Sequence, residues 1–330
     1  MTAGAPVVDG PSERPSTGEP TFAVVIPCWN AQPWIARAIQ SVLDQDGGPV
    51  HVIVIDDGST DGSLDIIKAF GDRITWESGP NQGGCAARNR GLALANTDWV
   101  LFLDADDYCE PQFIDAICGH ADGTTLDVLV GASRLQGRDG SSTVHSYAAG
   151  TESDELLKGW LYGRYVQTGA IMWRTAYLRS IGGWNESVRR SQDIELVLRA
   201  LLKGARALAV DAGHCVWIDH ASPHRVGSQT GYPQIESEIA FHDALIGPLE
   251  AVRPDLRLSM AIRYYSLAAQ AFGAGYDDLG HRALATSRRL GLRGHTGSWR
   301  SRLGSTALGL QTYFAVRRAL TQVLTLGHDD

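Results

Sequence analysis

A chain of 330 residues with 44% hydrophobic and 20% charged content has room for one large globular domain, or for one domain with a helical appendage. No run reaches the roughly 18 continuous apolar residues that a membrane-spanning helix needs. The net charge of −8 is uneven: 280–328 holds eight arginines and no Asp, Glu or Lys, leaving 21 Lys+Arg against 35 Asp+Glu before it, and an acidic body with an arginine tail is not a nucleic-acid-binding profile.

In chain order, residues 1–20 are rich in Pro, Gly, Ser and Thr and lack a basic segment followed by an apolar core, so they read as a mobile tail and not a secretory signal. "FAVVIPCWN" (22–30) is a β-branched apolar run, a first strand. "AQPWIARAIQSVLDQ" places Trp34, Ile35, Ala38, Ile39 and Val42 at helical spacing. "VHVIVIDDGST" (50–60) is a second strand ending in two carboxylates, followed by the helix "DGSLDIIKAF" and a short third strand, "RITWES". The Gly-rich "NQGGCAARNRGLALAN" enters a helix, "DWVLFLDADDY" is a fourth strand, "EPQFIDAIC" a helix and "LDVLVGASRLQG" a further strand. Beyond residue 150, "ELLKGWLYGRY" is helical, "TGAIMWRTAYLRSIGGWNE" reads as strand, helix and turn, "SQDIELVLRALLKGA" is an amphipathic helix and "RALAVDAGHCVWIDH" a strand. Helical segments dominate from about Pro233. The five cysteines are odd in number, scattered and free of any C-x-x-C pair, which predicts reduced thiols in a cytoplasmic protein and no zinc ribbon.

Alternating strands and helices predict an α/β fold with a mostly parallel central sheet flanked by helices. Ligands of such sheets bind beyond the carboxyl ends of the strands. Three strand ends carry distinctive residues: Pro27–Asn30, Asp56–Asp57 and Asp104–Asp107. A cluster of ionised carboxylates needs positive compensation, and all-oxygen ligands at a strand end suit Mg²⁺ or Mn²⁺ shared with a substrate diphosphate. Taken alone, Asp104-Ala-Asp106 is equally an acidic turn before a helix. Asp57 is suited to accept from a ligand N–H, or to form a turn. The Trp29 indole is suited to stack on a base, or to pack in the core. Arg88 is suited to reach a phosphate or orient an acid, or to make a surface ion pair.

The segments "VVIPCWN", "VIDDGSTDGS", "NQGGCAARNRGLALA", "WVLFLDADD", "IGGWNE" and "QDIELVLRALLKG" together resemble the family 2 glycosyltransferases, over roughly residues 22–230. The resemblance implies the GT-A fold and inverting transfer of a sugar from a nucleoside-diphosphate donor, a UDP-sugar being the expected one, with Mn²⁺ or Mg²⁺ as cofactor. It implies that Pro27, Trp29 and Asp57 hold the base, that Asn30 and Gly84 also bind the nucleotide, that Arg88 lies by the diphosphate, that Asp104 faces the ribose and Asp106 the metal. Asp193 matches the catalytic base, with Gln192 where the family has an acid. A hydroxyl attacking an anomeric carbon must lose its proton, so one base suffices for a single inverting displacement, whereas retention through a covalent intermediate wants a second carboxylate. Asp193 is also a first-turn acid suited to the helix dipole. In "WIDHASPHRVGS", His220 and His224 are spaced like a zinc half-site, but Pro223 opposes a helix presenting both. The resemblance places a histidine in this segment, to coordinate the cation or contact the diphosphate; His220 is the favoured candidate, and a surface loop histidine is the other reading.

The expected organisation is a tail (1–20), a glycosyltransferase domain (21–232, with a nucleotide half 21–125 and an acceptor half 126–232) and a helical region (233–330). A hexosyl- or N-acetylhexosaminyltransferase of bacterial glycan biosynthesis is the expected type, its acceptor a glycan, a lipid-linked saccharide or a small molecule. The rivals are a nucleotidyltransferase of similar fold and a non-catalytic sugar-nucleotide-binding subunit. A dehydrogenase would want G-x-G-x-x-G after the first strand, where "CWNAQP" stands. The arginine tail has two readings: peripheral contact with the inner face of the plasma membrane, or packing against the acidic body. The sequence leaves the oligomeric state open.

Overall fold

The computed structural model describes residues 20–45, 50–121, 125–220, 231–296, 306 and 308–316. Residues 1–19 of the expected N-terminal tail, His224, Arg300, Arg302, Arg317 and Arg318 lie outside the described residues.

Four strands lead the fold: β1 (Phe22–Cys28), β2 (Val50–Asp56), β3 (Thr75–Ser78) and β4 (Trp99–Phe102). They pair in parallel in the order β3-β2-β1-β4. β1 and β4 are near-continuous apolar runs because neighbours and helices cover them on all sides. Helix α1 (Ile35–Leu43) buries Ile35, Ala38, Ile39 and Val42, the stripe its spacing predicts. α2 (Ser63–Ala69) and α3 (Gly84–Leu94) complete the crossovers. Pro27 ends the β1–β4 ladder. The last bond runs from the Leu103 N–H to the Val25 carbonyl at 3.0 Å, and the proline supplies no N–H for the next. The chain is thereby released to turn at Asp104.

Past β4 the sheet becomes mixed. The two-residue β5 (Tyr108–Cys109) and α4 (Phe113–Cys118) precede β6 (Val128–Gln136), β7 (Ser142–His145), α5 (Ser153–Leu161), β8 (Ile171–Arg174), α6 (Thr175–Ser180), α7 (Gln192–Leu202) and β9 (Ala207–Ile218). The order continues β4-β8-β6-β9-β5, with β7 on β6. β8 runs antiparallel to both β4 and β6, β5 to β9 and β7 to β6, whereas β6 and β9 are parallel. Parallel pairing therefore holds for the first half of the sheet and for β6–β9 only. The reason is local: β6 returns as β7 through a tight turn closed by Gly137 N–H to Ser141 carbonyl, 2.8 Å, and a hairpin makes an antiparallel pair where a crossover helix would make a parallel one. The short β5 and the exposed β7 carry no apolar alternation that would announce them.

Three helices follow: α8 (Tyr232–Val252), α9 (Arg257–Ala274) and α10 (Asp277–Arg289). Ile235, Ile239 and Leu249 of α8 and Tyr264, Leu267 and Ala271 of α9 join the same apolar core as the sheet. Arg282 pairs with Asp243 at 2.5 Å, and Arg288 donates to the carbonyls of Leu292 and Gly294 at 2.8 and 2.9 Å. Leu310 is buried and Phe314 packs against the core. Among the described residues no helix is long and apolar enough to cross a membrane, and all five cysteines are free thiols.

Candidate active site

β1, β2 and β4 are parallel neighbours, so their carboxyl ends open on one edge of the sheet, where a cleft of about 670 Å³ lies. All ten candidate residues line it: Pro27, Trp29 and Asn30 after β1, Asp57 after β2, Gly84 and Arg88 on α3, Asp104 and Asp106 after β4, Asp193 on α7 and His220 after β9. The volume is that of a small-molecule site.

The acids have different partners. Asp57 is buried, and its two oxygens accept the backbone N–H groups of Gln82 and Gly83 at 3.0 and 2.8 Å, so its carboxylate shapes the Gly-rich loop. Asp104 receives Arg88 Nη2 at 2.6 Å. Asp106 Oδ2 lies 2.7 Å from His220 Nε2, and its carbonyl accepts Arg37 Nη2 at 2.9 Å. Asp107 points inward instead: it is 1% exposed and accepts the Ile218 N–H at 3.3 Å. All three clustered acids thus border the cleft, and the buried Asp107 also ties the turn to β9. Asn30 sits at φ 49° and its amide oxygen accepts the Thr60 N–H at 2.8 Å, linking the first two strand ends.

Arg88 is a hub. Besides Asp104 it donates through Nη1 to Gln192 Oε1 at 3.0 Å, and its guanidinium lies 4.6 Å over the Trp184 ring. Gly84 makes room for it, since a Cβ there would stand 3.0 Å from Arg88 Nη1. Gln192 donates in turn to the Val188 carbonyl at 3.0 Å. The neutral amide at 192 therefore spans two elements, and it leaves Asp104 as the anion bonded to Arg88.

Asp193 opens α7. Burial pushes its carboxyl up to about 6; the Ile194 N–H, 2.9 Å from Oδ1, and Arg88 oppose the rise, while Asp104 adds to it. The side chain keeps partial exposure to the cleft. A carboxyl titrating near 6 is ionised at neutral pH and still basic enough to take a proton.

Asp106 and His220 offer one carboxylate oxygen and one imidazole nitrogen in mutual contact. His220 is stacked on Trp34, ring centroids 4.2 Å apart, and its Nδ1 is buried without a partner among the described residues. Among those residues no three His, Cys, Asp or Glu side chains gather as a ready-made metal cage. Two protein donors fit Mn²⁺ or Mg²⁺, which keep waters and share substrate phosphates.

Trp34, Arg37, Tyr165, Trp184, Arg190 and Trp217 belong to the site or its frame and escape the sequence reading. Trp34 reads as part of an amphipathic stripe, yet its ring stacks on a histidine that is distant in sequence. Trp184 lies inside the noted "IGGWNE", and that motif is the one signal that could have found it.

Residues 23–180 match the profile of glycosyl transferase family 2. The pre-mycofactocin glycosyltransferase of Mycobacterium tuberculosis is 29% identical over 294 residues, which cover 85% of this chain and 58% of that protein. The chain thus spans little more than half the length of that relative. Among solved structures, S. aureus TarS 1–349 in complex with UDP-GlcNAc superposes with a TM-score of 0.68 at 18% identity, over 92% of both chains. The mannosyltransferase PcManGT of Pyrobaculum calidifontis, in complex with GDP-Man and Mn²⁺, superposes with a TM-score of 0.54 at 17% identity, over 94% of this chain and 86% of that one. With this sheet order, and with the matched profile running from β1 through α6, residues 23–180 belong to glycosyl transferase family 2, and the chain has the GT-A fold.

Proposed function

We propose that the protein transfers a sugar from a nucleoside-diphosphate donor to an acceptor hydroxyl, in one displacement with inversion and with a divalent cation. The observation that carries this reading is Asp193: a carboxylate in the cleft, pushed up to about 6, whose side chain is hydrogen-bonded, among the described residues, to the neighbouring Ile194 N–H. Asp57 and Asp107 are tied to backbone N–H groups, Asp104 to Arg88 and Asp106 to His220. That distribution supports a single proton acceptor and not a nucleophile with a separate acid.

Asp193 takes the proton of the acceptor hydroxyl onto its free oxygen as the hydroxyl attacks the anomeric carbon. Pro27 and Trp29 border the base, and the Asp57-shaped loop closes beside it. Arg88 holds Asp104 in the ribose-facing position and brings positive charge to the diphosphate side. Asp106 and His220 would hold Mn²⁺ or Mg²⁺, which when bound supplies neutralisation of the departing diphosphate. We take UDP-sugars, hexosyl or N-acetylhexosaminyl, as the donor class because TarS was solved with UDP-GlcNAc; PcManGT with GDP-Man makes GDP-sugars the comparison.

A thermal-shift panel of UDP-, GDP- and dTDP-sugars, with Mn²⁺ and with EDTA, tests the reading. A donor at a hundredfold excess over its Kd adds about 2.7 kcal/mol of stability, and EDTA or Asp106→Ala should remove most of that gain. A shift indifferent to both would sink the metal assignment, and no shift with any nucleotide sugar would sink the donor assignment.

A further inference from the structure

The turn that carries Asp193 is gripped from outside the sheet. Two residues before it, Ser191 adopts a left-handed conformation (φ 58°, ψ 40°). A residue with a Cβ is unfavourable there and persists only where its surroundings over-determine it. Two sets of contacts do so. From α3, Asn89 Nδ2 donates to the Trp184 carbonyl at 2.9 Å and Arg88 bonds Gln192. From the C-terminal helices, Ser237 Oγ on α8 accepts the Arg189 N–H at 2.9 Å and donates to the Ser187 carbonyl at 3.4 Å. The next residue, Glu238, is 1% exposed; it faces Arg190 Nε at 3.7 Å and makes an ion pair with Arg263 of α9. Arg190 Nη1 also donates to Gln270 of α9 at 3.3 Å. A buried carboxylate between two guanidiniums carries a large desolvation cost, and it is placed here against residues 187–190, the segment that leads into Asp193. Ser237, Glu238 and Gln270 do not line the cleft, so their effect on chemistry is indirect.

We propose that Ser237, Glu238 and Gln270 are positioning residues for Asp193. Through Ser187, Arg189 and Arg190 they fix the Ser191 turn, and so set where the Asp193 carboxylate sits. The helical region is then part of the catalytic apparatus. The proposal rests on reading Asp193 as the base.

The test uses the full-length chain with Ser237→Ala and Glu238→Gln, each alone and on an Asp193→Asn background. Glu238→Gln leaves buried guanidiniums undercompensated and can fail to fold; Ser237→Ala removes one hydroxyl and keeps the test decisive. Misplacing the base by a fraction of an ångström should lower kcat roughly tenfold or more, with donor KM and UDP affinity unchanged and no further fall on the Asp193→Asn background. Amide exchange across residues 184–193 should quicken while the sheet keeps its protection. Unchanged kcat with unchanged exchange, a parallel loss of UDP affinity, or losses that multiply on the Asp193→Asn background would each overturn the proposal. Exchange is read without substrate. A wild-type chain that turns over no nucleotide sugar would therefore sink the glycosyl-transfer reading, and the grip on the turn would still be decided by exchange.

Discussion

Asp193→Asn should make the protein more stable and almost inactive, and the two effects should depend on pH together. Burial raises the Asp193 carboxyl from the ordinary 3.8 to about 6. Each pKa unit corresponds to 1.36 kcal/mol, so ionising this group in the folded state costs up to roughly 3 kcal/mol more than in the unfolded chain. The sign follows from the raised value: the folded state holds its proton more tightly, so the associated stability is full below about pH 3.8 and is lost as pH rises through about 6. Above that the wild type carries a desolvated charge. Asparagine removes the charge and keeps an oxygen for the Ile194 N–H. Discounting for partial exposure to the cleft, the gain at pH 8 should be about 1–2 kcal/mol, or roughly 2–6 °C in Tm for a protein of this size. At pH 4 the gain should vanish. Turnover should fall by a factor of roughly 10² to 10⁴, the usual worth of a positioned base, with donor affinity retained. Scanning calorimetry at pH 4, 6 and 8, beside a nucleotide-release assay, reads both. A Tm difference independent of pH, or a destabilised variant that turns over normally, would refute the reasoning.

Wild-type kcat/KM should fall on the acid side with an apparent pKa near 6, since the base must be unprotonated, and a flat profile from pH 5 to 8 would contradict this. Arg88→Ala should destabilise by about 3–5 kcal/mol by stranding Asp104, and in whatever folds the acid limb should move to higher pH because Arg88 lowers the Asp193 pKa; denaturant titration and a pH–rate profile check the two parts. Gln192→Glu should likewise move the acid limb upward, since it sets a carboxylate beside Asp193; a downward shift would count against it. Deleting residues 280–330 should lower Tm and leave flotation with anionic vesicles unchanged, because Ala283, Ser287, Leu290 and Leu310 are buried; vesicle binding lost with the deletion would favour the membrane reading of the arginine tail.

The apolar runs and turn residues made the first half of the sheet legible. β1 and β2 are β-branched apolar stretches and β4 an apolar one, and the carboxyl ends of β2 and β4 carry acids of the cleft, so order along the chain predicted which residues meet. The second half was less legible because its geometry rests on short pieces. Tyr108–Cys109 is too short to show alternation, and the β6–β7 hairpin shows no buried face on β7. The sequence also could not sort the three clustered acids: Asp107 looks like Asp106 until Ile218 is seen to claim it. The same holds for Glu238, which reads as a polar position on a helix and is in fact one of the most buried charges in the protein.

Sugar transfer itself is tested most directly by following the wild-type chain with a UDP-sugar, Mn²⁺ and an acceptor by phosphorus and proton NMR in one tube. The expected result is appearance of UDP together with a product whose anomeric configuration is opposite to the donor's, and loss of both signals with Asp193→Asn. Release of pyrophosphate, retention of configuration, or a bound donor that is never consumed while Asp104, Asp106 and Asp193 are intact would contradict it.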